Sequence, residues 1–516
     1  MKKYIYSILS VLSIMALSSC EDVWSEHYNN EPVTSGESLW EAIQQDANAA
    51  KFVELIKEYH LDDTLFQSND PHTFFVPSNS AIDQYLTDHT MTKAVLDYHI
   101  LNFFIQPNNI DGKRKIQTRM LKFAQFENKN GQYLFDDIPV TFSSPLYANG
   151  KYFMMDQVAT PKPSLYEYIA ENAPQLKLFI DMQDSIVLDK ELSKPLGFDE
   201  EGNTIYDSVI TVINLFEEEY FKVSEEFRVK TATLVFPKED LYQQALTQMA
   251  LNIGSGYQSY EDIPVDWQQE ELIPYLIDQG LFSNMLEPDK FRKDSIQNIL
   301  GDYVKPKFFV AERTLCSNGY AYNYSSFEIF DSLYMSPLRN EAESFLEVIG
   351  KDRFNWKEDV LVTSDETFIP NADHVSIASN DSILKVQFPK GYEGAYSVEF
   401  LSRPMFPRRY LFVVRTNMYF GGVYDIYVND ELVKTFDYYD YQRFKKIMPS
   451  VITGKRYIAV ENFNKFDFWV DNITEYGQAR IRFEYKGPSN VQYNGLMLDY
   501  IDCVPEGETD HITDNP

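Results

Sequence analysis

Cysteine is scarce in this chain of 516 residues, which contains three, and beyond Cys20 only Cys316 and Cys503 remain. Two distant cysteines are too few for a disulfide framework, although one disulfide or two isolated buried thiols would both fit the count. Histidine is also rare, with seven residues in the chain. These seven form no HExxH motif and no other closely spaced pair. Zinc ligands commonly recur at such short spacings, so we expect no metal site and no cofactor.

Signature motifs of catalysis and a basic surface are missing as well. The chain has no GxSxG elbow, P-loop or GxGxxG motif, and we predict a protein that is not an enzyme and has no catalytic residues. The net charge is −32 and no basic footprint for phosphate groups is evident. We therefore expect no nucleic-acid partner, and we expect the acidity to serve solubility.

No hydrophobic run is long enough to span a membrane. The run at residues 4–17 follows Lys2 and Lys3 and falls short of the roughly 20 apolar residues that a spanning helix needs. A charged start before a short apolar stretch is typical of a secretory signal peptide, here residues 1–19. We expect residues 20–37, which are polar and rich in turn-forming residues, to be a tether.

The sequence Leu17-Ser18-Ser19-Cys20 resembles the lipobox of bacterial lipoproteins. That resemblance implies cleavage before Cys20 and acylation of its thiol, which would anchor the chain in a membrane through lipid alone. An ordinary signal peptide with a chance cysteine is the alternative. Acidic Glu21 and Asp22 resemble the signal that exports lipoproteins of some gut Gram-negative bacteria. We expect an outer-membrane, surface-exposed protein, with periplasmic retention as the alternative.

Three sequence blocks occur twice in the same order, which indicates an internal repeat. They are a capped helix start (SLWEAI and SLYEYI), a strand that runs through proline into a helix (TFFVPSNSAIDQYL and TLVFPKEDLYQQAL), and an Asn-Gly turn beside strand-like runs, beginning at residues 38 and 164, 73 and 233, and 149 and 318. Each helix start places Glu three residues after Ser, as in a capping box. Asn-Gly between strand-like runs predicts a hairpin.

These blocks resemble the fasciclin (FAS1) domain family, whose Tyr-His motif is matched by Tyr98 and His99. The resemblance implies two tandem α+β domains, at residues 38–160 and 161–338. The second copy departs from the pattern, because residues 277–279 replace the Tyr-His motif and an insertion covers about residues 195–230. The insertion predicts an extra β-hairpin; its acidic turn is a weaker candidate for calcium, since it lacks the ligand series of an EF-hand loop.

In fasciclin domains the Tyr-His motif has been linked to adhesion, so the resemblance makes Tyr98 and His99 candidate contact residues. The other interpretation is structural. His99 lies between apolar Val95, Leu96 and Ile100, and would then sit at the edge of the core, bonded to the following strand.

Residues 339–506 alternate apolar and polar side chains between turns, which predicts an antiparallel β-sandwich. Residues 421–430 and 495–501 resemble strands of galactose-binding-like jelly rolls. The predicted fold class is therefore α+β, with two tandem fasciclin-like domains followed by a jelly roll. Exposed aromatic planes bind the C–H faces of sugars. The candidate ligand-binding residues are Tyr419, Tyr438, Tyr439, Tyr441 and Trp469, although alternate members of this set could instead pack inside the sandwich.

Lipoproteins of this layout resemble accessory proteins of starch-utilisation-type outer-membrane uptake systems. The resemblance implies a non-catalytic protein that binds polysaccharide or scaffolds an outer-membrane transporter and its receptor. The rival interpretation is an adhesin, whose fasciclin domains bind a protein of a host or neighbouring cell.

Overall fold

The structure is a computed structural model that describes residues 36–66, 70–106, 112–189, 192–199, 201–221, 223, 230–292, 295–305, 312–350, 360–363, 378–387, 396–417, 421–437, 451–452, 455–456, 463–489 and 495–508. The chain is mixed α+β, as the sequence predicts. The predicted signal peptide, Cys20 and most of the tether lie outside the described residues. Among the helices that are described, none is long and apolar enough to cross a membrane.

Between residues 36 and 155 the described residues form helices and a single sheet. Their helices are α1 (Leu39–Gln45), α2 (Ala50–Glu58), α3 (Asp62–Leu65), α4 (Asn79–Asp88) and α5 (Lys93–Tyr98), and their strands are β1 (His72–Pro77), β2 (Ile100–Leu101), β3 (Gly112–Gln117), β4 (Phe123–Lys129), β5 (Gln132–Phe135), β6 (Ile138–Ser143) and β7 (Gly150–Met155). The strand order is β2-β1-β7-β6-β5-β4-β3, and β1 and β7 pair in parallel. Every residue of β1 is buried, because apolar clusters pack against both of its faces.

The next region repeats part of this plan on a smaller sheet. Its elements are α6 (Leu165–Asn172), α7 (Pro174–Met182), β8 (Asp184–Leu188), β9 (Lys194–Phe198), β10 (Thr204–Asp207), β11 (Ile210–Asn214), α8 (Leu215–Glu219), β12 (Ala232–Phe236), α9 (Glu239–Ile253), α10 (Val265–Trp267), a π-helical turn (Gln268–Leu272), α11 (Ile273–Gly280), β13 (Leu281–Ser283), β14 (Ile296–Gln297), β15 (Tyr303–Val304), β16 (Thr314–Cys316), β17 (Gly319–Asn323) and α12 (Asp331–Tyr334). The sheet order is β13-β12-β17-β16, with β12 and β17 parallel.

Two matching hydrogen bonds occur in these two parts of the chain. The side-chain Oδ1 of Asn149 accepts a hydrogen bond from the Leu39 amide at 2.8 Å, and Asn318 Oδ1 accepts one from the Leu165 amide at 2.7 Å. Both predicted capping boxes form, at Ser38 and at Ser164. An asparagine before the last central strand therefore fastens the N-terminus of the opening helix in both places, because the first amides of a helix have no partner within it.

The predicted hairpin in the insertion is confirmed. Strands β9 and β10 pair antiparallel, and β8 and β11 form a second antiparallel ladder at the base of the same excursion. Asp199 accepts hydrogen bonds from the Glu201 and Asn203 amides and from the Asn203 side chain. Its carboxylate thus closes the turn between β9 and β10 rather than lying free for a cation.

Polar contacts join the two repeated parts. Arg313 donates two hydrogen bonds to Asp137, at 2.9 and 3.0 Å, and this pairing lowers the pKa of the Asp137 carboxyl group. The hydroxyl of buried Tyr320 donates to Gln125 Oε1 at 3.0 Å. The ammonium group of Lys115 donates to the carbonyl oxygen of Cys316 at 3.1 Å. The bidentate arginine pair gives this junction a defined geometry as well as attraction.

The C-terminal residues form a β-sandwich. Its strands are β18 (Leu338–Glu341), β19 (Glu347–Gly350), β20 (Val360–Thr363), β21 (Ile383–Gln387), β22 (Tyr396–Leu401), β23 (Tyr410–Asn417), β24 (Val423–Val428), β25 (Glu431–Asp437), β26 (Val451–Ile452), β27 (Lys455–Arg456), β28 (Phe463–Val470), β29 (Arg480–Gly487) and β30 (Gly495–Pro505). One sheet has the order β20-β21-β30-β23-β28, with β18 also on β30, and the other has the order β19-β22-β29-β24-β25. Side chains such as Phe412 and Phe483 fill the space between them.

The chain divides into two compact units that do not follow sequence order. One contains residues 1–239 and 273–326, and the other contains residues 240–272 and 327–516. Most of α9, all of α10 and the π-helical turn thus belong to the same unit as the sandwich. The domain boundaries predicted from the sequence, at residues 160 and 338, stay predictions.

Gly150 stands where β7 meets β1, and a side chain has no room there. Its φ is +147°, and a Cβ atom at this position would overlap the carbonyl oxygen of His72. Gly319 occupies the corresponding place beside Ala232. We expect Gly150→Ala to destabilise the first sheet by about 3 kcal/mol or more, because the clash adds to the strained φ.

The matched control is Gly131→Ala, which has a φ of +86° but no atom within 4 Å of the added Cβ. It should cost only the conformational strain, about 1–2 kcal/mol. Urea unfolding of both variants measures the difference. Equal losses in the two variants would contradict the close approach of β1 and β7 as the cause.

Candidate functional site

A cleft in the second unit brings together rings and charges from distant parts of the chain. Its walls come from α10 and the π-helical turn, from α12, from the loop after β22 and from the loop between β28 and β29. It encloses about 60 Å³, far less than the roughly 300–1,000 Å³ of a pocket that buries a small ligand. A ligand would therefore lie across the mouth of this cleft rather than inside it.

Phe406 is the centre of the aromatic part of the cleft. Its ring centroid lies 4.7 Å from that of Tyr476, 5.4 Å from Trp267 and 6.2 Å from Tyr334. The Phe406 contacts with Trp267 and Tyr334 are edge-on, as aromatic quadrupoles prefer. Trp267 and Phe406 are almost completely buried, whereas Tyr334 and Tyr476 are half-buried. The two tyrosines are thus the rings that present a face to solvent.

Charged groups border these rings. The π-helical turn carries Glu270 and Glu271 to the cleft, and Arg403 Nη2 lies 3.3 Å from Glu271 Oε1. Burial, with the negative charges of Glu270 and Glu271 nearby, raises the pKa of Tyr476 to about 12. The Tyr476 hydroxyl therefore stays protonated at neutral pH and can donate a hydrogen bond.

The arrangement suits recognition of a polar ligand with apolar faces. Partly exposed rings can stack, and carboxylates accept hydrogen bonds. Arg403 and the Tyr476 hydroxyl can donate them, whereas the Tyr334 hydroxyl already donates to Asp331 Oδ1 at 2.8 Å. Within the described residues no group of three or more His, Cys, Asp or Glu side chains is placed to hold a metal ion.

Trp469 is the one sequence-predicted ligand residue that the structure describes. It lies on β28 with 37% of its surface exposed. The guanidinium group of Arg409 lies 4.3 Å from its ring centroid and is held there by Asp471, at 2.6 Å. Part of the ring is therefore already occupied by a cation. Trp469 does not line the cleft, and the candidates Tyr419, Tyr438, Tyr439 and Tyr441 lie outside the described residues.

Tyr98 and His99, the candidate adhesion residues, are completely buried. The Tyr98 hydroxyl donates a hydrogen bond to Asp136, which is itself buried. A partner protein would need an exposed pair, so direct contact through these side chains conflicts with their position. The motif instead supports the core, with Tyr98 packed among the rings beneath β1.

The structural interpretation predicts a hydrogen bond from His99 to the following strand, but both nitrogens of its imidazole bond elsewhere. His99 follows the last residue of α5, and its Nδ1 lies 2.7 Å from the Val95 carbonyl oxygen in the final turn. Its Nε2 accepts a hydrogen bond from the Ala159 amide at 3.0 Å. Because Nδ1 faces a carbonyl oxygen and Nε2 accepts from an N–H group, the ring is the neutral tautomer with its proton on Nδ1. The Val95 carbonyl group is available because the last carbonyl groups of a helix lack partners within it.

The corresponding position in the second sheet is Gly280. In the first sheet Thr73 pairs with Leu101, and in the second Thr233 pairs with Phe282. Counting back from these partners aligns Gly280 with His99, one residue beyond the replacement predicted at residues 277–279. The space there is closed by backbone, because a Cβ on Gly280 would overlap the Val235 carbonyl oxygen.

Cys316 and Cys503 are both free and buried. Of the two possibilities that the sequence leaves open, the structure therefore has two isolated thiols rather than one disulfide. Burial raises the pKa of the Cys316 thiol to about 12. A thiol that stays protonated is a poor nucleophile, which fits a packing role.

The cleft residues Trp267, Glu271, Arg403 and Tyr476 were not predicted from the sequence. Trp267 precedes the predicted sandwich by more than 70 residues, so a search restricted to the C-terminal region misses it. One signal was present, because Trp267 is among only five tryptophans and is followed closely by two carboxylates.

Burial lowers the pKa of His99 to about 4. Between about pH 4 and pH 6.5 the unfolded chain binds a proton that the folded chain does not, so stability should fall as the pH decreases through this window. The loss is up to about 3 kcal/mol for a shift of this size. This loss of stability is absent well above pH 6.5 and complete below pH 4.

His99→Gln should reduce this pH dependence, whereas the exposed control His89→Gln should leave it unchanged. Urea unfolding at intervals from pH 3.5 to pH 8 measures the slopes. NMR titration of the wild-type His99 ring gives a second reading, which needs no variant to fold. Protonation of His99 near pH 6.5 would contradict its burial.

The family model of the fasciclin domain matches residues 47–161. The predicted fasciclin resemblance is therefore confirmed for this part of the chain, which contains β1, α5 and β7. No curated protein matches the chain.

Three solved structures illustrate the structural likenesses. A FAS1 domain pair from the insect cell adhesion molecule Fasciclin I is 12% identical over 55% of this chain and 98% of its own, with a TM-score of 0.22. A family 35 carbohydrate binding module from Clostridium thermocellum is 16% identical over 33% of this chain and 97% of its own, with a TM-score of 0.19.

A xanthan lyase from Paenibacillus is 16% identical over 34% of this chain, with a TM-score of 0.23. The chain spans only 14% of the length of that enzyme.

Proposed function

We propose that this protein is a non-catalytic binding lipoprotein that holds polysaccharide at the outer membrane, with the cleft of the second unit as its site. The cleft carries the proposal, because it combines the half-buried rings of Tyr334 and Tyr476 with Glu271 and Arg403. Sugars have apolar C–H faces and many hydroxyl groups, so rings beside carboxylates and a guanidinium group match both features.

The small enclosed volume favours a polymer over a free monosaccharide. A cleft of about 60 Å³ cannot surround a sugar ring, whereas one unit of a chain can stack at its mouth while its neighbours extend along the surface. Many weak contacts of this kind gain affinity through multivalency.

Anchoring and layout complete the proposal. Acylated Cys20 would hold the chain on the outer membrane, with residues 21–37 as the tether. Asn149 and Asn318 make the same kind of hydrogen bond, each to the first amide of an opening helix, which supports a tandem fasciclin pair. The pair would act as a spacer or as a scaffold for a transporter and receptor. The rival function, adhesion through Tyr98 and His99, has less support, since both side chains are buried.

Affinity electrophoresis of the soluble form, residues 21–516, through gels loaded with different polysaccharides tests the proposal. We expect retardation on at least one polysaccharide. Tyr476→Ala should weaken it about tenfold, because loss of a stacked ring and its hydroxyl costs roughly 1–2 kcal/mol. Glu271→Gln should weaken it as well, by removing an acceptor.

Tyr427→Ala is the matched control. Tyr427 lies on β24 of the same sandwich, its ring faces the guanidinium group of Arg482 at 4.5 Å, and it does not line the cleft. Retardation that persists in Tyr476→Ala would move the site elsewhere, and no retardation on any gel would overturn glycan binding. Point variants are preferable to deletion of residues 340–516, because the cleft also contains Trp267 and its neighbours.

A further inference from the structure

The insertion between α7 and α8 has more exposed large apolar side chains for its length than the other described residues. Residues 184–214, named the ribbon arm here, contain eight of the 24 exposed large apolar side chains of the described residues. They are Ile186, Leu192, Leu196, Phe198, Ile205, Val209, Ile210 and Val212, with exposed fractions between 41% and 74%. Monomeric proteins seldom leave such a concentration uncovered, and its usual cause is an interaction site.

The register of the arm concentrates part of this surface on one face. Val212 pairs with Ile186, and Ile210 pairs with Leu188, two residues further along each strand. Because side chains two apart on a strand share a face, Ile186, Ile210 and Val212 project together, and they are 69%, 64% and 63% exposed. Thr211 lies between two of them and points to the opposite face.

Within the described residues the arm also has uncovered strand edges. Each of its two ladders has two strands, and no other described strand pairs with their outer edges. Such edges can accept a further strand, and proteins normally protect them with charge, proline or a covering element. Here apolar side chains accompany the open edges, which is the combination that strand addition from a partner uses.

Charge identifies the chemistry of the partner. The arm has seven acidic residues against Lys190 and Lys194. A second copy would place one acidic arm against another, and a membrane surface of anionic lipids would repel the arm in the same way. The tether is no better suited, since residues 21–35 include four acidic residues and neither Lys nor Arg.

We propose that the ribbon arm docks a protein partner through an extended apolar strand bordered by Lys or Arg. The strand adds to the open edge of the β8·β11 ladder, its apolar side chains cover Ile186, Ile210 and Val212, and its cations pair with the acidic border. This surface is separate from the cleft residues, so it does not depend on the binding of glycan.

Site-specific photo-crosslinking of the full-length lipoprotein in its own cell envelope tests the proposal. A benzophenone amino acid at position 212 reports on the apolar face, and the same probe at position 211 is the matched control on the opposite face of the strand. We expect one protein adduct with at least fivefold higher yield at position 212. The crosslinked segment, identified by mass spectrometry, should be apolar with Lys or Arg within a few residues.

Asp184 is exposed and lies two residues before Ile186 on the same face of β8, and exposed Asp207 lies three residues before Ile210. Neutralising this border with Asp184→Asn and Asp207→Asn should lower the yield severalfold. Equal yields at positions 211 and 212, or no adduct at either, would overturn the proposal. An adduct with a second copy or with lipid, or a crosslinked segment without basic residues, would also overturn it.

A measurement on the soluble form requires no native partner. The probe is a peptide of alternating valine and lysine, compared with a peptide of alternating valine and glutamate. The triple variant Ile186→Thr, Ile210→Thr, Val212→Thr keeps every charge and stays β-branched. We expect it to bind the lysine peptide at least tenfold more weakly than the wild type, and equal binding would overturn the role of the apolar face.

Discussion

The close approach of two parallel strands is the constraint on which the fasciclin-like part of this protein depends. Gly150 allows β7 to lie against β1 without a side chain between them. The side-chain oxygen of Asn149, immediately before it, accepts a hydrogen bond from the Leu39 amide at the start of α1. Gly319 and Asn318 repeat both functions beside β12. A single Asn-Gly pair thus links a strand to a distant helix, which lets the chain close a core from segments more than 100 residues apart.

The same constraint explains why the Tyr-His motif is buried. With β7 on one side of β1, the short strand β2 pairs on the other side, and the residues just before β2 are drawn into the core. His99 then bridges the end of α5 and the backbone at Ala159, while Tyr98 bonds to Asp136. The Tyr-His motif, a candidate binding site by its sequence, therefore stabilises the domain by hydrogen bonds between its helical and strand segments.

The two surfaces that we propose for recognition share no residue with that core, and they differ in chemistry. The cleft in the second unit is small, aromatic and bordered by both signs of charge, which suits a hydroxyl-rich ligand. The ribbon arm is apolar, acidic and open at its backbone edges, which suits a protein strand. Under the two proposals, glycan and a protein partner would bind through different residues of this chain.

Local patterns in the sequence were sufficient for the elements whose stability is local. The capping boxes at Ser38 and Ser164, the inserted hairpin and the alternation of the C-terminal strands all depend on neighbours within a few residues, and the sequence predicts them. Tertiary structure alone decided what depends on distance. The sequence does not reveal that residues 240–272 belong with the sandwich, that Trp267 meets Phe406, or that His99 bonds to Ala159. The physical reason is that periodicity and capping report on one element at a time, whereas burial and site geometry depend on which elements pack together.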